Sequence, residues 1–138
     1  MEQRRAAPYP EAEVSDRRVI GIGGIFFKAR DPKALQAWYR DHLGVPVQPW
    51  GGAKFEGKDD PEGTTAWSVF PETTKYLEPS QASFMVNYRV ADLVGLLAKL
   101  RAEGCQVMEK MDESEFGKFG WVMDPEGNKV ELWEPPPA

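Results

Sequence analysis

The chemistry available to this chain centres on one carboxylate set among aromatic rings. Glu131 lies close in sequence to Trp133, and both belong to a stretch running from Lys118 through Phe119, Trp121 and Met123, then Asp124-Pro125-Glu126-Gly127-Asn128, to Lys129-Val130-Glu131-Leu132-Trp133. A carboxylate on a floor of rings can act as a general acid or base, or anchor a ligand. Its structural alternative is an ion pair with Lys28 or Arg89. Metal chemistry is poorly supplied. The chain has one histidine, His42, and one cysteine, Cys105. Catalytic zinc typically takes three protein ligands, and non-heme iron two histidines and a carboxylate. An all-oxygen magnesium site lacks a second acid beside Glu131. We therefore expect no metal and no cofactor. His42 is read as packing beside Leu35 and Leu43, or as sitting at the negative end of a helix. Cys105 is read as a small core residue.

The elements that position Glu131 follow from local sequence. Two short apolar runs flank Asp124-Pro125-Glu126-Gly127-Asn128, a cluster of turn formers, which predicts a β-hairpin with a longer loop. Pairing Met123 with Lys129 sets Trp121 opposite Glu131 and Phe119 opposite Trp133. Directly opposed residues share a face. One face then carries the rings and the carboxylate. The other carries Val122, Val130 and Leu132 and can lie against a helix.

Upstream, residues 19–29 have strand composition, with Gly21, Gly23 and Gly24 near the start. Those glycines lead into a strand rather than opening a helix, so they do not form a phosphate loop. Asp31-Pro32 starts a helix on which Leu35, Trp38, Tyr39, His42 and Leu43 recur at helical spacing, and Gly44 ends it. Residues 45–50, 53–57 and 64–70 read as strands, and 71–81 as a linker. The order then repeats. Residues 82–90 read as a strand, Asp92 caps a helix bearing Leu93, Leu96, Leu97 and Leu100, Gly104 ends it, and strands follow at 105–109, 116–123 and 129–133. A strand–Asp–helix–Gly–strand unit thus appears twice, and an internal repeat constrains the fold before any other signal. The expected class is α+β: two βαβββ repeats joined into one curved mixed sheet, with one helix outside each half. The expected organisation is an N-terminal arm over residues 1–18 and a single domain over 19–135, its halves being 19–77 and 82–135.

Bulk composition narrows the partners. A chain of 138 residues with 41% apolar content can bury one core. A net charge of −5 with no basic patch argues against nucleic acid. No apolar run approaches a membrane span and no signal peptide is visible. A single cysteine excludes an internal disulfide and fits a reducing, cytoplasmic setting.

With the repeat, Asp31, the run Trp38-Tyr39-Arg40-Asp41-His42-Leu43-Gly44, Asp92-Leu93 and the string from Asp124 to Leu132 in hand, the chain resembles the vicinal oxygen chelate superfamily, which includes glyoxalases, bleomycin-resistance proteins and extradiol dioxygenases. The resemblance covers residues 20–135. It implies the cup-shaped sheet and a homodimer. In metal-using members four ligands line the cup. The resemblance places Gly24 and Met85 at the two usual histidine positions, offers no acid in residues 64–70, and keeps only Glu131.

Strand parity puts Phe26 and Lys28, Asn87 and Arg89, and Phe119, Trp121, Glu131 and Trp133 on the concave face, with Trp67 able to join them. Rings with a few convergent polar groups suit a small planar organic ligand. The leading expectation is a metal-free binding protein of the bleomycin-resistance type. The alternatives are a lyase, isomerase or dioxygenase-type enzyme with a non-standard or substrate-supplied metal, and a module whose cup is filled by its own side chains.

Overall fold

A computed structural model describes residues 18–137; the expected N-terminal arm lies, but for Arg18, outside them. Helix α1 spans Pro32–Leu43. Asp31 caps it by accepting from the Ala34 amide at 3.1 Å, and Gly44 ends it in the left-handed region at φ 66°. Strand β1 (Val86–Arg89) leads to helix α2 (Leu93–Ala102), capped by Asp92 accepting from the Gly95 amide at 3.0 Å. Strands β2 (Gln106–Val107), β3 (Asp112–Ser114), β4 (Gly117–Met123) and β5 (Lys129–Glu134) complete the chain. Both aspartate caps and the glycine stop of α1 act as their side-chain chemistry dictates.

The sheet runs β1-β5-β4-β2, with β3 also pairing β4. β1 is parallel to β5 and the other pairs are antiparallel. The class is therefore α+β, with few helices and a mixed open sheet. The hairpin register is the expected one: Met123 pairs Lys129, Trp121 pairs Glu131 and Phe119 pairs Trp133. β1 adds Asn87 opposite Glu131 and Arg89 opposite Trp133.

One face of this sheet holds the fold together. Val122, Val130 and Leu132 cluster with Leu93, Leu97 and Leu100 of α2 and with Leu35 and Tyr39 of α1. Leu93, Leu100, Leu132, Val122 and Val130 are fully buried, and each such side chain stabilises by roughly 1.5–3 kcal/mol. Both helices thus share a single core, where one helix on each of two half-sheets was expected. Polar contacts fix α1 at several points. Glu126 in the hairpin loop accepts from the Arg30 and Asp31 amides at 2.8 and 2.9 Å. The buried Tyr39 hydroxyl donates to Asp124 at 2.8 Å. His42 meets Glu103 at 2.8 Å.

The first half departs from expectation. Residues 19–29, 45–50, 53–57 and 64–70 form no sheet ladder; only a 3-10 turn at Gly57–Asp59 is regular there. Strand composition describes a side chain that fits a pleat, but a strand also requires a partner edge. Gly21, Gly23 and Gly24 further weaken the first segment. Many of its large apolar residues are consequently exposed, Phe26 at 94% and Trp67 at 78% among them. No helix among the described residues is long and apolar enough to cross a membrane.

Candidate functional site

The face of the sheet opposite the core carries the site. Period two in β5 turns Glu131 away from Val130 and Leu132, and the register with β1 and β4 brings Asn87 and Trp121 to its two sides. Asn87 Nδ2 donates to Glu131 Oε1 at 2.7 Å, and Trp121 Nε1 donates to Oε2 at 3.0 Å. A third donor comes from outside the sheet: the Tyr76 hydroxyl bonds Oε2. Glu131 is only 7% exposed, and Trp121 only 5%.

Tyr76 belongs to residues 71–81, expected to be a linker. That segment is a series of tight turns, closed by Thr74 to Pro71, Glu78 to Lys75 and Ser80 to Leu77 backbone bonds. The turns set Tyr76 edge-on to Trp121, with centroids 6.1 Å apart, and Phe70 packs edge-on against Tyr76 at 5.7 Å. Lys129 ties down the same residue from its backbone, donating from Nζ to the Tyr76 carbonyl at 2.7 Å while lying 5.4 Å from the Tyr76 and Trp121 ring centroids. Burial, then the hydrogen bond and charge of Glu131, push the Tyr76 phenol well above the usual tyrosine range. Desolvation lowers Lys129, against the pull of nearby carboxylates. The result is a buried carboxylate held by three neutral donors under a tyrosine cover.

The expected ion pair of Glu131 with Lys28 or Arg89 is not formed. Arg89 instead pairs with Asp60 and donates to the Thr64 carbonyl, and Lys28 is exposed. The 60–64 turn approaches the outer edge of β1 and takes the guanidinium before it can reach the sheet face. The structure does bring Asn87, Trp121 and Glu131 together. Phe119 and Trp133 form a neighbouring stack, centroids 6.0 Å apart and planes 9° apart, with Trp133 Nε1 donating to the Phe116 carbonyl at 2.8 Å. Phe26 and Trp67 point into solvent. Parity assigns a face only to a strand already paired in register, and their segments are not. Tyr76 was missed; its only sequence signal is an aromatic residue in an irregular segment, where functional groups often reside.

The family's metal site does not fit here. The atoms facing Glu131 are a phenol, an amide nitrogen and an indole nitrogen. None of the three residues is a carboxylate or an imidazole, and the family's other ligand positions hold Gly24 and Met85. One open concavity of about 490 Å³ is lined by Pro46, Gln48, Trp50, Lys54, Glu56, Lys58 and Asp59. It shares no residue with the Glu131 cluster and holds no constellation of its own.

Comparison with known proteins agrees with the fold. TnmS3, an antibiotic binding protein from Streptomyces sp. CB03234, superposes over 88% of this chain and 100% of its own, with a TM-score of 0.56 at 14% identity. A protein of unknown function from Agrobacterium tumefaciens str. C58 superposes over 82% of this chain and 96% of its own, with a TM-score of 0.50 at 20% identity. Cytochrome P450 85A1 from Solanum lycopersicum is 35% identical over 78 residues, 56% of this chain, but the chain spans only 16% of that protein. A family profile described as a glyoxalase-like domain matches residues 24–133. The chain therefore belongs to the glyoxalase-like domain family of the vicinal oxygen chelate fold.

Proposed function

We propose that this protein binds a small planar organic molecule on the Trp121–Glu131 floor, without a metal, and that Tyr76 gives way to it. The observation that carries this reading is a buried carboxylate whose hydrogen bonds all come from neutral donors, one of them from Tyr76 outside the sheet. Tyr76 is itself a planar ring with a hydroxyl edge, so it already occupies the place of such a ligand. A ligand phenol, aromatic amine or ring N–H can replace its hydrogen bond and its contact with Trp121. Asn87 and Trp121 stay in place as fixed donors that orient the carboxylate. TnmS3 carries an antibiotic-binding description, which supports a binding role on this fold, although fold likeness does not transfer a ligand.

Thermal shift and calorimetric titration with a panel of planar phenols and aromatic amines test the reading on wild type, Tyr76→Ala and Glu131→Gln. Binding raises the melting temperature because it stabilises only the folded state. The expected pattern is a shift in wild type, a larger one in Tyr76→Ala and none in Glu131→Gln. No shift in either wild type or Tyr76→Ala would overturn the reading, because the floor then takes no such ligand even with the Tyr76 ring removed.

A homodimer in a cytoplasmic setting belongs to the same proposal. The exposed apolar residues of the first half, including Ile25, Phe26, Trp67 and Val69, are the kind of surface that association covers. Light scattering at micromolar concentration should give twice the chain mass, and a monomer would count against it.

A further inference from the structure

The chain's single histidine and single cysteine, separated in sequence by about half of the domain, meet at one corner of the helix layer. His42 stands in the last turn of α1. Glu103 is the C-cap of α2. Cys105 follows Gly104, whose φ of 83° turns the chain back so that the Cys105 amide bonds the Leu100 carbonyl at 2.9 Å. The ligating atoms of all three lie within 4.8 Å of one another, and His42 Nδ1 is 2.8 Å from Glu103 Oε1. This is a nitrogen, an oxygen and a sulfur donor, each set by how a helix ends rather than by a mobile loop.

We propose that His42, Glu103 and Cys105 bind a divalent ion of the zinc class, with solvent at the fourth position. Zinc bonds of about 2.0–2.3 Å to such donors require ligand atoms roughly 3.3–3.8 Å apart. The histidine and glutamate atoms, hydrogen-bonded at 2.8 Å, must open by about half an ångström to about one ångström to share an ion, and the thiol needs a side-chain adjustment to close. The Trp38 ring packs 5.6 Å from the imidazole, and Trp38 and Cys105 both pack, partly buried, against the core. Two helix C-termini converge here, and their negative ends favour a cation. On binding, the thiol proton passes to solvent and the proton between His42 Nδ1 and Glu103 Oε1 leaves to Nε2 or to solvent, so that bonds to the metal replace the S–H and N–H bonds with no change in oxidation state. The site lies away from the cup positions at which the family holds its ion. Its effect is to tie the end of α1 to the corner between α2 and β2.

Cobalt(II) and zinc(II) titration of the full chain tests this. Cobalt should bind one per chain and give a thiolate-to-metal charge-transfer band, which can arise only from Cys105 because the chain has no other cysteine. Zinc should displace cobalt and raise the melting temperature. Cys105→Ser should abolish the band, and His42→Gln and Glu103→Gln should each weaken binding by about tenfold or more. Glu131→Gln should leave binding unchanged. The proposal is overturned by the absence of a charge-transfer band in wild type, by one ion per two chains, or by unaltered affinity in both His42→Gln and Glu103→Gln with native circular dichroism.

Discussion

Replacing Tyr76 with phenylalanine removes one hydroxyl from the Glu131 carboxylate while keeping the ring against Trp121. The carboxylate then retains Asn87 at 2.7 Å and Trp121 at 3.0 Å. A hydrogen bond to a charged acceptor contributes about 1.5–3 kcal/mol where its loss leaves the acceptor dry. Tyr76 is 40% exposed, so water can partly replace it and the expected loss is about 1–2 kcal/mol. For a chain of this length that corresponds to a fall of about 3–8 °C in melting temperature. Urea denaturation of wild type, Tyr76→Phe, Glu131→Gln and the double variant completes a cycle in which changes elsewhere cancel. The coupling energy should be about 1 kcal/mol, with the urea slope unchanged. A coupling below about 0.3 kcal/mol, the scatter of additive pairs, would refute the claim that the carboxylate holds the cover down.

Further substitutions probe the scaffold. Gly117 has φ of 111°, and a Cβ there would lie 2.3 Å from the Glu134 carbonyl oxygen; Gly117→Ala should cost more than about 2 kcal/mol in urea denaturation. Asp124→Ala removes the acceptor of the Tyr39 hydroxyl, the Glu126 and Asn128 amides and the Asn128 side chain, and should cost about 3–5 kcal/mol by the same assay. At high pH, Tyr39, Tyr76 and Tyr88 are all raised, chiefly by burial. Above the ordinary tyrosine value of about 10 the unfolded chain ionises and the folded chain does not, so stability falls as pH rises through that value; phenolate absorbance should appear for these three only as circular dichroism is lost. At low pH, Glu126 is lowered, first by the Arg30 and Asp31 amides; its contribution is present above the ordinary carboxylate range and should vanish as pH falls through its lowered value, which Glu126→Gln would flatten in an acid titration of stability.

The parts of this molecule legible from sequence are those whose cause is local. Asp31 and Asp92 cap their helices, Gly44 stops the first, and the hairpin register follows from the turn formers and the pleat. That register alone places Trp121 beside Glu131. Legibility ended where the partner was distant. Residues 19–29 and 64–70 look like strands because β-branched and aromatic residues are common to paired strands and to extended chain alike. Arg89 was expected at Glu131 on parity, but a turn thirty residues upstream takes it. Tyr76 carries no periodic signal, since a loop residue is positioned by turns whose geometry is not written as a pattern. His42 and Cys105 each read as structural when judged singly, and only the packing of two helix ends brings them to one corner.

The string from Asp124 to Asn128 marks the fold so well because its polar atoms are used for architecture. Asp124 is 5% exposed and accepts from the loop's own amides on one oxygen and from Tyr39 and Asn128 on the other. Glu126 meets the backbone where α1 begins. A change in any of these groups therefore loosens the seat of α1 on the sheet before it could alter chemistry. Glu131, a few residues on, has the opposite character. Its donors come from a loop, from β1 and from β4, and the one from the loop is no part of the sheet ladder. The loop motif therefore specifies the scaffold, and under the proposed function it is exchange of the Tyr76 hydroxyl on Glu131 that would set this chain apart from others built on the same frame.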